Sequence, residues 1–229
     1  MSRVLAELAR LPRVELLSGP TPLEHWSRLS AELGINLYVK RDDLTGIGAG
    51  GNKLRKLELL MGKARAEGVT WLLTTGGPQS NHARLTAAVA ARLGLGCTLL
   101  LKGAPHQQDT GNILLDRLFG ADLQFLDVPD YPTLYAAMEK EAHKLDAQGE
   151  RTMQIPLGGA TAEGTAAYVA AAAELAAVGK PDRARISQCP AAARGVDAGD
   201  GGQPPLAPGT PRRAAATARG SPAPAPSRR

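Results

Sequence analysis

Residues 46–56 read Gly46-Ile-Gly-Ala-Gly-Gly-Asn-Lys-Leu-Arg-Lys, and both the fold and the chemistry turn on how they are understood. They follow the charged run Lys40-Arg41-Asp42-Asp43, which closes a short strand pattern beginning Leu37-Tyr-Val. The glycines let the backbone take positive φ and approach another group closely, after which Asn52 and Lys53 open a helix. A cation in that first turn meets the unfavourable end of the helix dipole, a setting that suits a lysine acting as an amine nucleophile.

Three readings of the stretch compete. Lys53 could be an ordinary solvated residue on an amphipathic helix after a flexible loop. Gly46-x-Gly48-x-x-Gly51 also fits the dinucleotide-binding fingerprint literally, but its context does not. Residues 40–43 separate the strand from the glycines, and the next strand ends Thr74-Thr75-Gly76 where an acidic ribose ligand should stand. A Walker A loop is excluded because the stretch has no Gly-Lys-Ser/Thr. The third reading makes Lys53 a Schiff-base lysine, and a resemblance carries it. Pro20-Thr-Pro-Leu, Tyr38-Val-Lys-Arg-Asp-Asp-Leu, Gly50-Gly-Asn-Lys-Leu-Arg-Lys-Leu-Glu and Gln79-Ser-Asn-His-Ala-Arg stand in the order and spacing of one family. The chain resembles the D-cysteine desulfhydrase and 1-aminocyclopropane-1-carboxylate deaminase family, pyridoxal-phosphate enzymes of the tryptophan-synthase-β type. The likeness runs from about Leu11 to about Val178 and takes in Ile155-Pro-Leu-Gly-Gly and Gly164-x-x-x-Tyr168.

The resemblance implies pyridoxal 5′-phosphate as cofactor, bound through Lys53, which is also a candidate proton carrier. It implies that Ser80 is catalytic, that Asn81 hydrogen-bonds the cofactor's 3′-oxygen, and that Ser80, Asn81 and His82 receive the substrate carboxylate. The residues themselves point the same way. Ser80 opens a helix just after a strand and two glycines, so Ser80, Asn81 and His82 should present backbone N–H groups to an anion. The plain alternative is that Ser80 is an N-cap and His82 a structural first-turn residue, so His82 receives a supporting role only. The Gln-Ser-Asn-His form is similar to the desulfhydrases, with L-cysteate sulfo-lyase close to it. The expected reaction is therefore α,β-elimination on a small amino acid, D-cysteine giving pyruvate, hydrogen sulfide and ammonia. Deamination of a cyclopropane amino acid is the alternative within the class. The intact family implies a homodimer.

Composition narrows the remainder. The net charge of +5 looks suited to nucleic acid, but residues 181–229 hold 8 Arg and 3 Asp, leaving 19 basic and 19 acidic residues before them. The body is neutral, so no specific nucleic-acid partner is expected. Cys97 and Cys189 form no disulfide or metal motif, the N-terminus has no apolar leader, and no run of 18 apolar residues occurs. A cytoplasmic protein away from the membrane, with no metal, is expected.

Along the chain, a short helix precedes Pro12, and a helix is expected from Leu23 to Leu33, stopped by Gly34. From residue 53 onward, near-continuous apolar strand patterns at Trp71-Leu-Leu-Thr-Thr, Cys97-Thr-Leu-Leu-Leu, Leu123-Gln-Phe-Leu and Met153-Gln-Ile-Pro alternate with helical ones. That alternation predicts parallel strands buried on both faces, an α/β fold of three layers. The expected division is residues 1–53 as the N-terminal part of a larger α/β cofactor domain and 54–157 as the small three-layer domain. Residues 158–180 form a return segment to the larger domain. Residues 181–229, of which 35 are Pro, Ala, Arg or Gly, read as a low-complexity disordered tail. Family members continue there with a cofactor-phosphate loop and the rest of the large domain, so the sequence reads as truncated or frame-shifted after about residue 178. The rival outside the enzyme class is accordingly an inactive fragment whose basic tail binds anionic polymers.

Overall fold

Leu72 to Thr75 and Thr98 to Leu101 are buried without exception, so the strands that hold them are covered on both faces. The computed structural model describes residues 2–105, 108–178 and, as backbone, 184–188, all within one compact unit of residues 1–197. Its larger sheet has four parallel strands, β3 (Trp71–Gly76), β4 (Gly96–Lys102), β5 (Asp122–Leu126) and β6 (Thr152–Ile155), in the order β5-β4-β3-β6. Register pairs Leu72 with Cys97 and Met153, and Leu100 with Gln124.

Alternate strand residues point to opposite faces, which divides the core in two. Leu72, Leu99 and Leu101 pack with Leu54, Leu57 and Met61 of α3 (Lys53–Ala66) and with Leu85 and Val89 of α4 (Asn81–Leu93). Leu73 and Leu100 meet Leu134, Met138, Ala142 and Leu145 of α6 (Tyr131–Ala147) on the other face. Each fully buried leucine contributes about 1.5–3 kcal/mol, so these two clusters dominate the stability of the layer. Between β4 and β5 runs α5 (Asn112–Leu118). Gly68 and Gly94, at φ 67° and 69°, end α3 and α4 in the left-handed region, as expected of helix stops.

A second sheet has three strands in the order β1-β2-β7: β1 (Leu23–His25), β2 (Asn36–Lys40) and β7 (Ala184–Gln188). It corrects two expectations. Residues 23–25 are a strand, pairing antiparallel with β2 (Leu23 opposite Lys40, His25 opposite Tyr38), and the helix after it, α2 (Ser27–Leu33), starts four residues later than expected. The Trp26 N–H donates to Leu37 O at 3.0 Å, a long-range pairing that overrides the local helical pattern. Residues 184–188, expected within the structureless tail, form a strand parallel to β2, with Asn36 opposite Ala184 and Lys40 opposite Gln188. The open edge of β2 supplies the N–H and C=O groups that order this segment. The rest of the expected tail lies outside the described residues. Helix α7 (Ala162–Ala177) packs on α3 and on the N-terminal helix α1 (Ser2–Leu8). Among the described residues no helix is long and apolar enough to cross a membrane.

Candidate active site

The connections decide where the reactive side chains go. Helix α3 runs back along the sheet to enter β3, which puts Lys53 over the C-terminal edge of the strands. Helix α4 leaves from that same edge, and β6 ends there in the turn Leu157–Gly159. From β3 the chain proceeds to β4 on one side, and β6 lies on the other, so the strand order reverses beside β3. Open α/β sheets bind ligands at this position.

Three lysines lie around this edge and its supports, and their amines differ. Lys40 is buried, ion-paired to Glu174 at 2.6 Å and bonded to Thr21 O. Lys56 donates to Gly158 O at 2.9 Å and lies 5.8 Å from the centre of the Tyr168 ring. Burial, with the neighbouring Lys53 charge, pulls the Lys56 amine below its ordinary range. Lys53 is half-buried, and among the described residues no carboxylate pairs with it. Its Cε lies 4.0 Å from the position a Cβ would take on Gly158, so its stem passes beside the 157–159 turn.

The start of α3 is held from behind. Arg55 donates from Nε and Nη2 to Asp42 at 2.9 and 2.8 Å and from Nη1 to Glu174 at 2.6 Å, while the Thr21 hydroxyl donates to Asp42 at 2.7 Å. Burial disfavours the Arg55 charge, but Asp42 and Glu174 more than offset that and raise it above the ordinary arginine range. Asn52 donates to the Tyr168 hydroxyl at 3.0 Å, tying the residue before Lys53 to α7.

At the start of α4, Ser80 is buried and accepts from the Ala83 N–H at 3.2 Å, so it is an N-cap whatever else it does. It lies against Gly76, where an added Cβ would come within 2.7 Å of Ser80 Oγ. One expectation is corrected here. The Ser80 N–H is not offered to a ligand, because it donates to Gly77 O at 3.0 Å. Asn81 Oδ1 accepts from Asn112 Nδ2 at 3.1 Å, and Asn112 also donates its N–H to Gln79 Oε1 at 2.8 Å, so the start of α5 is laced to the loop before α4.

His82 is fully buried and meets Thr74 Oγ1 at 3.1 Å. The Thr74 hydroxyl donates to Ile155 O at 2.8 Å, so its oxygen accepts from His82 Nε2–H, which leaves Nδ1 as an unprotonated buried acceptor. Burial, then the charges of Lys53 and Lys56, push the imidazole down to about 3, so it stays neutral. The 157–159 turn joins the groups. A Cβ on Gly159 would sit 3.3 Å from His82 Cε1 and 3.4 Å from Lys56 Cδ, and Gly158 faces Lys53. The structure thus gathers Lys53, Lys56 and His82 around one turn, with Ser80 and Asn81 opening α4 on the same edge. Sequence reasoning assigned no role to Lys56, Thr74, Gln79, Asn112 or Asn52, whose partners lie far along the chain. The repeated glycines at 158 and 159 were the available signal for the turn.

The donor set fits pyridoxal phosphate. An amine without a carboxylate partner suits its aldehyde carbon, Asn81 opens α4 on the same edge of the sheet, and a glycine turn leaves room at Lys53. A groove of about 660 Å³ lies elsewhere, between α1, α3 and α7, lined by Leu5, Leu8, Leu17, Leu59 and Ala170. It is mainly apolar, with Arg13, Arg55, Glu58 and Glu174 also in its wall, and does not include Lys53.

Comparison with known proteins identifies the family and the fold. A family model described as pyridoxal-phosphate dependent enzyme matches residues 14–192. The D-cysteine desulfhydrases of Salmonella paratyphi B and Salmonella newport are 47% identical over 177 residues, covering 75% of this chain and 53% of theirs. Among solved structures, an ACC deaminase homologue aligns with a TM-score of 0.73 and 41% identity over 77% of this chain and 54% of its own. A fungal L-serine ammonia-lyase from Rhizomucor miehei, at 17% identity and a TM-score of 0.55 over 70% of this chain and 47% of its own, shares the fold. The chain spans about half the length of the curated relatives it matches.

Proposed function

The chain belongs to the pyridoxal-phosphate dependent enzymes, and from that premise we propose that it serves α,β-elimination on a small amino acid, D-cysteine giving pyruvate, hydrogen sulfide and ammonia. The observation that carries this reading is Lys53. It opens α3 at the edge where α4 and the 157–159 turn converge, while Lys40 and Lys56 are both tied to oxygen acceptors. The 47% identity to D-cysteine desulfhydrases supports the choice of substrate.

The bound cofactor supplies an electron sink for the pair left at the substrate Cα. The rest falls to the chain. Lys53 would hold the cofactor through its amine, and its Nζ, when free, would accept the α-proton of the substrate. First-turn amides of α4 receive the α-carboxylate, aided by the positive end of the helix dipole. Ser80, fixed by its bond to the Ala83 N–H, turns its hydroxyl toward the reacting carbon or relays a proton to the leaving sulfur. Asn81, secured by Asn112, would help to hold the cofactor. His82 stays neutral and anchors α4 to β3 through Thr74, which keeps the two helix starts in register.

In this reading residues 54–157 act as the small domain against a larger cofactor domain built from 1–53 and 158–180. The protein works in the cytoplasm as a homodimer, and buried Cys97, free of any disulfide, is consistent with a reducing compartment. A second reading, deamination of a cyclopropane amino acid, is supported by the ACC deaminase homologue at 41% identity. L-Cysteate desulfonation is the third. Incubation with pyridoxal phosphate and each substrate in turn, with assay of the products, separates them. Pyruvate with sulfide from D-cysteine is expected; 2-oxobutanoate from the cyclopropane substrate, or sulfite from L-cysteate, would transfer the assignment. A chain that neither retains the cofactor nor releases any of these products would be the inactive fragment instead.

A further inference from the structure

The loop before Lys53 is unusual in its backbone. Gly46, Gly48, Ala49, Gly50 and Gly51 all have positive φ, at 85°, 55°, 63°, 72° and 141°, and Ala49 is the one non-glycine in that region among the described residues. An L-residue with a side chain adopts this conformation at a cost and persists there only where its surroundings over-determine it. Local bonds supply part of the constraint: Gly50 N–H donates to Ile47 O at 2.9 Å and Gly51 N–H to Thr45 Oγ1 at 2.8 Å. The rest comes from α4. Arg84, 2% exposed, donates from Nη1 to Gly48 O and from Nη2 to Gly50 O at 2.8 Å, gripping the carbonyls on either side of Ala49. Nη2 also reaches Asn81 Oδ1 at 3.3 Å. The loop lies directly on α4 at this point, since a Cβ on Gly48 would stand 2.5 Å from Ala88 Cβ.

A buried guanidinium is costly, and among the described residues none of its bonds goes to a carboxylate. Two carbonyls two residues apart need a planar fork, which lysine does not offer. The grip joins the loop that ends in Lys53 to the helix that begins with Ser80 and Asn81. We propose that Arg84 is a positioning residue that locks the 46–51 loop onto α4 and so fixes where Lys53 stands against the first turn of that helix. Its consequence for catalysis rests on the assignment of Lys53 made above; the lock itself does not.

Amide hydrogen exchange on the full chain, with and without pyridoxal phosphate, tests both parts. In the native chain the Gly50 and Gly51 amides should exchange as slowly as those of α4. Arg84→Met should speed them by about 10²-fold while leaving β3 and β4 within about threefold, because only a local opening is released. Low-millimolar guanidinium should restore protection, and Arg84→Lys, which reaches one carbonyl, should fall between the two. Borohydride labelling of Lys53 by pyridoxal phosphate should slow by about tenfold in Arg84→Met and recover with guanidinium. An equal rise in exchange across β3, β4 and the loop would make Arg84 an ordinary core residue and overturn the lock; so would an unchanged loop. Should Arg84→Met not fold, the same criteria apply to Arg84→Lys. A loop that opens and is rescued while label appears on another lysine would keep the lock and refute the role of Lys53.

Discussion

Asp116→Asn should remove most of a pH dependence that the native chain carries in its stability. Asp116, on α5, is 1% exposed, and neither carboxyl oxygen has a hydrogen-bond partner among the described residues. Burial pushes it up to about 8, with the Arg84 cation only partly opposing, because that guanidinium spends its bonds on Gly48, Gly50 and Asn81. In the unfolded chain the same group titrates near about 3.9. A native pKa raised above the unfolded value gives a contribution that is complete below about pH 4 and lost as pH rises through about 8. In that window the folded chain holds a proton that the unfolded chain has released, so stability falls by about 1.4 kcal/mol per pH unit. Between about pH 5 and pH 7 the loss is about 2.7 kcal/mol. Asparagine keeps the shape and cannot ionise, so urea unfolding of native chain and variant across that range should give curves that diverge by this amount, the variant gaining. All other titrating groups cancel in the difference. Parallel curves would mean that Asp116 is ionised in the fold, its carboxylate satisfied by a cation such as Arg84, and would refute the reasoning.

Further outcomes follow from the site and its supports. Ser80→Ala removes the acceptor of the Ala83 N–H, which should cost about 1 kcal/mol in urea unfolding. It should also cut elimination turnover by about 10²-fold, and the stability loss alone would reduce Ser80 to a cap. His82, held down to about 3, should keep the NMR shifts of a neutral imidazole with its proton on Nε2 throughout the neutral range; a midpoint at the ordinary histidine value would contradict its burial between Lys53 and Lys56. Asp42→Ala strips the Arg55 fork of one of its two carboxylates and should destabilise the chain by about 3–5 kcal/mol in the same unfolding assay, whereas a loss within error would mean that Glu174 alone satisfies the guanidinium.

The sheet was legible in the sequence because burial on both faces writes an unbroken apolar run, as at Leu72-Leu73 and Leu99-Leu100-Leu101. Lys53, Ser80, Asn81 and His82 could be singled out because they stand in local motifs at helix starts. What escaped depended on partners distant in the chain. Residues 23–25 carry a weak helical pattern that pairing with β2 overrides, and residues 184–188 gain their strand from the open edge of that same β2. The Ser80 N–H was expected to face a ligand, but the Gly77 carbonyl takes it, a detail of turn geometry that residue types do not specify. Lys56, Thr74 and Arg84 acquire meaning only when Gly158, Ile155 and Gly48 are brought to them. Nothing in the residue type of Ala49 announced a left-handed conformation.

The central claim is that Lys53 carries the cofactor, and borohydride reduction of the pyridoxal-phosphate-loaded chain followed by peptide mapping tests it most directly. Lys40 is occupied by Glu174 and Thr21, and Lys56 by the carbonyl of Gly158, so the pyridoxyl group should be found on Lys53. Its recovery on Lys56 or Lys40 instead would contradict the account.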